Sequence, residues 1–466
     1  MCGVFGVSNI SDAARHVYLG LYALQHRGQE SAGIVSVDDD ATTHGHRRMG
    51  LVKDIFPPAV LDSLPGKVAI GHTRYSTTGS SELSNAQPCL VDYHTGSLAL
   101  AHNGNLTNAA ELRADLVRKG SIFQTSSDSE VLVHLIARSE AREPEDQILD
   151  ALERVEGAYT LVMTIGKTLY AIVDPRGFRP LVLGKLGAGF VVASETCALD
   201  IIGASVVKEL NPGEWLRIEN GRVQELPPLP SSPPKRCVFE LIYFSRPDST
   251  VFGESVDRVR RNLGHRLALE HPSPGADCVF SVPDSSNAMA LGYAEESGIK
   301  LEHGLIRNHY VGRTFINPSP STRIEKARIK FNPVRDVVDQ KEVVVVDDSL
   351  VRGTTSQSLI SMIRQAGATK IHLRIASPPI TGPCYYGIDT PTREELIAST
   401  HSVEEIRAHL EVDTLGYLSL EGMHDAAISG KPGYCDACFS GAYPTAAPGE
   451  RSEQIHVNPA IPAVAT

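Results

Sequence analysis

Two adjacent carboxylates, Asp347 and Asp348, directly follow a run of valines at residues 343–346. Consecutive apolar β-branched residues are typical of a strand buried on both faces of a parallel sheet. Residues 349–355 then supply hydroxyls, an arginine and a glycine, and a helix is predicted over 353–366. Hydroxyls and free backbone N–H groups at a helix N-terminus bind phosphate, and neighbouring carboxylates can hold ribose hydroxyls or Mg²⁺. The segment therefore predicts a site for a phosphorylated sugar.

The two carboxylates alone would also suit a strand end with a helix cap, but the longer string is more specific. Residues 343–356 resemble the phosphoribosylpyrophosphate (PRPP) motif of the type I phosphoribosyltransferases. The resemblance implies that Asp347 and Asp348 contact PRPP. It also implies a cradle for the 5′-phosphate, made by Arg352, Gly353, Thr354 and Thr355.

A cysteine stands directly after the initiator methionine, which by itself is unremarkable. If Met1 is removed, Cys2 carries both a thiol and a free α-amine. The amine, with a pKa of about 8, can act as the general base for its own side chain. One residue would then supply both the nucleophile and the base of an acyl transfer.

Five further strings in the first half favour this chemistry: residues 26–33, 71–79, 85–88, 102–106 and 127–130. Together with Cys2 they resemble the class II glutamine amidotransferase domain, an N-terminal-nucleophile hydrolase, over nearly all of residues 2–220. The resemblance implies that Cys2 attacks the glutamine amide. It also implies that the Asn103 side chain and the Gly104 N–H stabilise the oxyanion.

The same resemblance implies two residues that bind the amino-acid part of glutamine. Arg74 would pair with the α-carboxylate, which its planar guanidinium matches, and Asp128 would bind the α-ammonium. From the residues alone, Arg74 could equally form a structural ion pair, and Asp128 could cap the helix predicted over 129–138. Three histidines could act as bases, but an α-amine base needs no histidine, so we interpret them as structural. These are His26, His72 and His102.

Strings in the second half extend the resemblance to a whole family. Residues 240–249, 282–286 and 310–318, with both motifs above, resemble the glutamine PRPP amidotransferases across about residues 2–445. A cationic stretch follows the last string, and it is either an exposed loop or a mobile lid over an anionic substrate. Its cations are Arg323, Lys326, Arg328 and Lys330.

This family resemblance assigns further residues of the PRPP half. Ser285 would join Asp347 and Asp348 around Mg²⁺. Tyr243 and Arg246 would lie where the two sites communicate, with Tyr243 on the PRPP side.

The resembled family transfers ammonia from glutamine to C1 of PRPP. The products are 5-phosphoribosylamine, glutamate and pyrophosphate, in the first committed step of de novo purine synthesis. The resemblance implies purine nucleotides as feedback inhibitors and a homotetramer. Two alternatives are a glutamine amidotransferase with another acceptor, which the PRPP motif disfavours, and a non-catalytic PRPP-sensing regulator, which Cys2 disfavours.

Four cysteines of the second half could hold a metal group. Cys435 and Cys438 form a Cys-x-x-Cys pair, which alone could be redox-active, half a zinc site or two bystanders. Some members of the resembled family carry a [4Fe–4S] cluster on cysteines in the contexts of this pair, Cys237 and Cys384. The resemblance therefore implies a structural cluster with these four ligands, and zinc is the alternative. We interpret the other cysteines as small apolar residues: Cys89, Cys197 and Cys278.

Composition narrows the class of protein. Hydrophobic residues make up 42% of the 466 residues and charged residues 21%, which is ordinary for a soluble globular protein. The net charge of −11 argues against a general nucleic-acid binder. The sequence has neither a long apolar run nor a signal-peptide pattern, so we expect a cytoplasmic protein without a membrane span.

The elements that must position these residues divide the chain in two. Short apolar strands and amphipathic helices over residues 2–224 predict layered α+β packing, and the resemblance implies that the layers are those of an αββα N-terminal-nucleophile sandwich. Residues 225–236 form a proline-rich linker. From residue 276 onward, alternating strands and helices predict an α/β fold with a parallel sheet, and the resemblance implies a phosphoribosyltransferase domain over 237–445. Residues 446–466 are expected to be a disordered tail.

Overall fold

The computed structural model describes residues 2–75, 80–308, 330–390, 392–428 and 430–448. Apart from Lys330, the predicted lid and its cations lie outside these residues, and so does the predicted tail beyond residue 448.

The first half contains two antiparallel sheets. The first has the order β11-β9-β10-β1-β4-β2-β3 and the second β13-β12-β8-β7-β6-β5. The strands are β1 Gly3–Ser8, β2 Ser31–Val37, β3 Thr43–Met49, β4 Val68–Arg74, β5 Cys89–Tyr93, β6 Gly96–Leu106, β7 Gly157–Ile165, β8 Thr168–Val173, β9 Val182–Leu186, β10 Gly189–Ala193, β11 Ser205–Glu209, β12 Trp215–Glu219 and β13 Arg222–Glu225.

Helices cover the outer faces of both sheets. They are α1 Ala13–Ala23, α2 Val52–Ile55, α3 Pro58–Asp62, α4 Ala109–Arg118, α5 Ser129–Ala137, α6 Pro144–Leu152 and α7 Cys197–Asp200. Side chains such as Val4 and Val162 fill the core between the sheets. A second core joins the first sheet to α1 and α7, and a third joins the second sheet to α5 and α6. These four layers confirm the predicted αββα sandwich.

The second half is built on a parallel sheet with the order β17-β20-β21-β22. The strands are β14 Arg236–Cys237, β15 Thr250–Val251, β16 Glu254–Ser255, β17 Cys278–Ser281, β18 Leu305–Arg307, β19 Phe331–Pro333, β20 Glu342–Asp347, β21 Lys370–Ile375, β22 Thr414–Tyr417 and β23 Tyr434–Cys435. The helices are α8 Val256–Glu270, α9 Asn287–Ser297, α10 Arg335–Val338, α11 Thr354–Gln365, α12 Ile397–Thr400, α13 Val403–Leu410, α14 Leu420–Ile428 and α15 Ala437–Ser440.

The four consecutive valines of β20 are all buried, because both faces of the sheet are covered. Val344 and Val346 lie in the core on one face of the sheet, and Val343 and Val345 lie in the core on the other. This alternation follows from the two-residue period of a strand. It confirms the predicted parallel sheet with a strand buried on both faces.

The two ends of the second half meet in a short parallel pair of strands. β14 pairs with β23, and Cys237 stands opposite Cys435. Residues 226–235, between β13 and β14, contain neither helix nor strand.

No helix in the part of the chain that the structure describes is long and apolar enough to span a bilayer.

Candidate active sites

Cys2 lies at the start of β1, a strand between β10 and β4 in the first sheet. Its exposed fraction is 8%. Its backbone N donates to Asn103 Oδ1 at 3.3 Å, and its Sγ lies 3.7 Å from the Tyr75 carbonyl oxygen. Its own carbonyl accepts a hydrogen bond from Arg27 Nε at 3.1 Å. The structure therefore brings Cys2 and Asn103 together, as the sequence predicts.

Asn103 and Gly104 lie side by side on β6. The Asn103 side chain is buried, and among the described residues its Nδ2 has no hydrogen-bond partner. A buried donor without a partner is costly, so such a group points to a ligand. Gly104 has a φ of +149°, and a Cβ there would collide with the Ala158 carbonyl oxygen. The backbone at this point therefore requires glycine.

Arg74 ends β4 and is almost fully buried. Its Nη1 donates to the Ser80 carbonyl at 3.1 Å and lies 3.8 Å from Glu30 Oε2. The contact with Glu30 matches the alternative of a structural ion pair, and both roles are compatible with this geometry.

Asp128 stands directly before α5 but makes no capping hydrogen bond to it. Its Oδ2 instead accepts the Leu106 N–H at 2.9 Å and lies 3.7 Å from His102 Nδ1. The capping alternative is therefore wrong, because the side chain turns toward the end of β6, close to Asn103 and Gly104.

The three candidate histidines of the sequence analysis have structural partners. His72 is fully buried between the sheets, where its Nε2 lies 3.0 Å from the His102 carbonyl oxygen. Burial lowers the pKa of His72 to about 3. His102 Nδ1 lies 2.9 Å from Ser129 Oγ, and His26 Nε2 lies 2.7 Å from Glu195 Oε1. None of these contacts involves Cys2.

The second candidate site lies at the carboxyl end of β20. Ser286 Oγ donates to Asp347 Oδ1 at 3.1 Å, and Ser285 Oγ donates to Asp348 Oδ2. Ser349 Oγ donates to Asp348 Oδ1 at 2.6 Å. Both carboxylates are nearly buried. The structure therefore groups Ser285, Asp347 and Asp348, as the sequence predicts. It also adds Ser286, a residue of segment 282–286 to which the sequence analysis assigned no function.

The electrostatics of these carboxylates favour a cation. Burial raises the pKa of Asp347, and the charge of Asp348 raises it further. Burial also raises the pKa of Asp348, against the hydrogen bonds from its serines and the charge of Arg260. Two adjacent buried carboxyl groups bind protons tightly unless a cation replaces them.

The loop after β20 leads into α11. Gly353 precedes the helix with a φ of +76°, a conformation that favours glycine. Thr354 and Thr355 form the exposed first turn of the helix, and Arg352 Nη2 lies 2.9 Å from Glu395 Oε2. The N–H groups and hydroxyls of this turn therefore face solvent beside the two carboxylates.

A π-helical turn over Glu240–Phe244 connects the two halves. Tyr243, on this turn, is 38% exposed, and its ring centroid lies 5.8 Å from that of Phe239. The Arg246 N–H donates to Glu195 Oε2 of the first half at 2.9 Å. Arg246 therefore contacts the first half, and its place between the two sites stays a prediction.

The four cysteines predicted as metal ligands converge on one cavity. It is lined by Cys237, Cys384, Cys435 and Cys438, with aromatic residues such as Phe178 and Tyr386. All four are free thiols. Burial raises the pKa of Cys438, and the charges of the other three cysteines raise it further. Within the described ranges, no group of three or more His, Cys, Asp or Glu side chains is arranged to hold a single metal ion.

Sequence reasoning assigned no role to a buried network of charges between the halves. Arg27 donates to Glu195 and Glu240, and Arg179 Nη1 lies 3.4 Å from Glu240 Oε1. Arg27 and Glu240 both lie in strings that the sequence singles out. They are 213 residues apart, so no spacing rule pairs them.

Known proteins resemble this chain over nearly its full length. A family model of a glutamine amidotransferase domain matches residues 72–200. Amidophosphoribosyltransferase 2, chloroplastic, of Arabidopsis thaliana is 51% identical over 444 residues, 95% of this chain and 79% of that protein. The amidophosphoribosyltransferase of Bacillus subtilis is 49% identical over 452 residues, 95% of this chain and 94% of that protein.

A solved structure agrees with these relatives. Glutamine PRPP amidotransferase of B. subtilis, complexed with ADP and GMP, superposes with a TM-score of 0.90 at 49% identity. The match covers 96% of this chain and 98% of the other. The fold, the family model and the solved structure define an enzyme with an N-terminal-nucleophile glutamine amidotransferase domain. With these relatives, the chain belongs to the amidophosphoribosyltransferase family.

Proposed function

We propose that this enzyme releases ammonia from glutamine at Cys2 and adds it to C1 of PRPP beside Asp347 and Asp348. The products are glutamate, pyrophosphate and 5-phosphoribosylamine. The observation that carries the proposal is the buried Asn103 Nδ2 next to the Cys2 backbone, which has no hydrogen-bond partner among the described residues. A donor in that position suits the oxyanion that forms on the glutamine amide when the Cys2 thiol attacks it.

The groups that contact glutamine in the first half-reaction all come from the first half of the chain. With Met1 removed, the Cys2 α-amine takes the thiol proton, and Sγ attacks the amide carbon of glutamine. Asn103 Nδ2 and the Gly104 N–H donate to the oxyanion. The C–N bond then breaks, ammonia leaves with the transferred proton, and water hydrolyses the thioester to glutamate. Arg74 and Asp128 hold the α-carboxylate and α-ammonium of the substrate.

The second half-reaction uses the carboxyl end of β20. Arg352, Gly353, Thr354 and Thr355 cradle the 5′-phosphate, with Tyr243 at the edge of the site. Asp347, Asp348 and Ser285 hold the Mg²⁺ that accompanies PRPP. This ion needs only one or two carboxylates, because substrate phosphates and water complete its coordination. When bound, it supplies positive charge to the departing pyrophosphate. Ammonia attacks C1 as the C1–O bond to pyrophosphate breaks.

We further propose a [4Fe–4S] cluster with Cys237, Cys384, Cys435 and Cys438 as its ligands. A cavity lined by four free thiols supports this proposal. Zinc, held by the same four sulfurs, is the alternative. The group would tie the end of the second half to its start, as β14 and β23 do.

Other parts of the proposal concern organisation and control. We infer a glutaminase domain over 2–224, a linker over 225–236 and a phosphoribosyltransferase domain over 237–445. The ADP and GMP bound to the B. subtilis relative support feedback by purine nucleotides. We also propose a homotetramer in the cytoplasm.

The decisive experiment is a glutaminase assay with and without PRPP. We expect glutamine hydrolysis to rise strongly when PRPP is present and 5-phosphoribosylamine to form. The proposal would be contradicted if the rate of glutamine hydrolysis were the same with and without PRPP and no pyrophosphate were released.

A further inference from the structure

The network between the two halves buries an unusual amount of charge. The side chains of Arg27, Arg179, Glu195 and Glu240 are all 0% exposed. Removing such groups from water costs about as much free energy as their mutual attraction returns, so buried ion pairs are a weak means of stabilising a fold. We therefore expect this network to have a role other than stabilising the fold.

Arg27 links the network to the nucleophile. Its Nε donates to the Cys2 carbonyl at 3.1 Å, and its Nη1 donates to Glu195. Its Nη2 donates to both carboxylate oxygens of Glu240, at 2.7 and 2.9 Å. A planar guanidinium with all three nitrogens engaged has a fixed orientation. The hydrogen bond to Cys2 therefore depends on the position of Glu240.

The backbone of Cys2 is held from both sides. Its N donates to Asn103 Oδ1 at 3.3 Å, and its carbonyl accepts from Arg27. These contacts set the distance between the thiol and the proposed oxyanion donors. We propose that Glu240, which the second domain contributes, is a positioning residue for the Cys2 nucleophile of the first domain.

Glu240 is itself fixed by its own domain. Ser245 Oγ donates to Glu240 Oε2 at 2.8 Å, and the Ser245 N–H donates to the Glu240 carbonyl at 3.0 Å. The nucleophile is thus held in place by a carboxylate that belongs to the PRPP-binding half. The glutaminase domain then lacks a complete nucleophile site without its neighbour.

Glu240→Gln in the full-length enzyme tests this inference, which rests on the proposed role of Cys2. We expect kcat for glutamine hydrolysis to fall on the order of tenfold to a hundredfold, since a misplacement of about 1 Å can cost this much. KM for glutamine should stay within about twofold, because Glu240 does not touch the substrate site. Synthesis with ammonia should stay at the wild-type rate.

Glu209→Gln is the matched control. Glu209 also crosses between the halves, accepting the Phe252 and Gly253 N–H groups, but it does not contact Arg27. Glu209→Gln should leave both glutamine hydrolysis and ammonia-dependent synthesis unchanged. The inference is overturned if both variants lower glutamine hydrolysis equally, or if Glu240→Gln leaves it at the wild-type rate. It is also overturned if a folded Glu240→Gln enzyme loses ammonia-dependent synthesis to the same extent.

Two more variants keep the outcome clear. If Glu240→Gln does not fold, the milder Ser245→Ala decides, and an unchanged rate of glutamine hydrolysis would then overturn the inference. Cys2→Ala, measured in parallel, separates this inference from the proposed function. If Cys2→Ala still hydrolyses glutamine, the proposed function is contradicted. If only the Glu240→Gln result differs from the expectation, the positioning role alone is contradicted.

Discussion

Gly387 of the second half packs directly on Gly104 of β6. A Cβ on Gly387 would lie 2.8 Å from the Gly104 carbonyl oxygen. The neighbouring Asn105 Nδ2 donates to the Tyr385 carbonyl at 2.8 Å, which fixes the same two segments together. The segment that carries Cys384 therefore supports the strand that carries the proposed oxyanion donors.

Gly387→Ala should lower glutamine hydrolysis while sparing ammonia-dependent synthesis. The added methyl group would push β6 at Gly104, and a shift of about 1 Å in an oxyanion donor can cost ~10²-fold in rate. Steady-state rates with glutamine and with ammonia measure the effect. Gly298→Ala is the matched control, since its φ of +70° brings similar strain without any neighbour within 4 Å. Equal losses in both variants would attribute the effect to backbone strain alone.

Cys2→Ala should abolish glutamine-dependent synthesis and retain synthesis with ammonia. The variant lacks the thiol that attacks the amide, but the PRPP site lies on β20, in the other half of the chain. Product formation with each nitrogen source is the measurement. Loss of both activities in a folded protein would contradict two separate sites.

Asp347→Asn should remove PRPP turnover with either nitrogen source. The carboxylate is nearly buried beside Asp348, and the amide cannot supply the charge that a Mg²⁺ site needs. Pyrophosphate release at saturating glutamine or ammonia reports this step. Asp336→Asn, on the exposed surface of α10, should behave as wild type. Near-normal PRPP kinetics in Asp347→Asn would contradict the assignment of residues 343–356 as the PRPP site.

Purified protein should be brown and contain about four iron and four sulfide per chain. The reason is the convergence of four free thiols on one cavity. Iron, sulfide and zinc analysis settles the content, and Cys435→Ser should lose the colour while Cys89→Ala keeps it. A colourless protein with one zinc per chain would contradict the cluster and show that the four cysteines hold zinc.

His72 should make the wild-type enzyme less stable as the pH falls below neutrality. Its pKa is about 3 in the fold against 6.5 in the unfolded chain. The unfolded chain therefore binds the proton first, and the stabilisation that is complete above pH 6.5 is lost on acidification. Between pH 6.5 and 5 this loss amounts to about 2 kcal/mol. His72→Gln should flatten the curve in denaturant titrations over this range, and an unchanged slope would disprove the effect.

Local patterns were enough to predict the elements that carry the sites. The valines of β20 predict a strand buried on both faces, and Val343 and Val344 lie in opposite cores as that requires. Predicted helices over 129–138 and 353–366 match α5 and α11 within a residue or two at each end. These signals succeed because burial and periodicity are properties of neighbouring residues.

Contacts between distant residues were beyond such patterns. Glu240 meets Arg27 across 213 residues, and Gly387 meets Gly104 through the packing of two halves. Asp128 shows a local ambiguity as well. Its position suits a helix cap, but the Leu106 N–H at the end of β6 binds its carboxylate instead. Only the three-dimensional arrangement decides between such competing partners.

The pairing of β14 with β23 has a consequence for synthesis on the ribosome. Chains emerge from the N-terminus, and domains generally fold as units in that order. Every strand of the two stacked sheets precedes residue 226, so the first half can fold early. Cys237, by contrast, can pair with Cys435 only after residue 435 has been translated. The cavity of four thiols therefore closes only after residues 435–438 have been translated, and any metal must be delivered after that point.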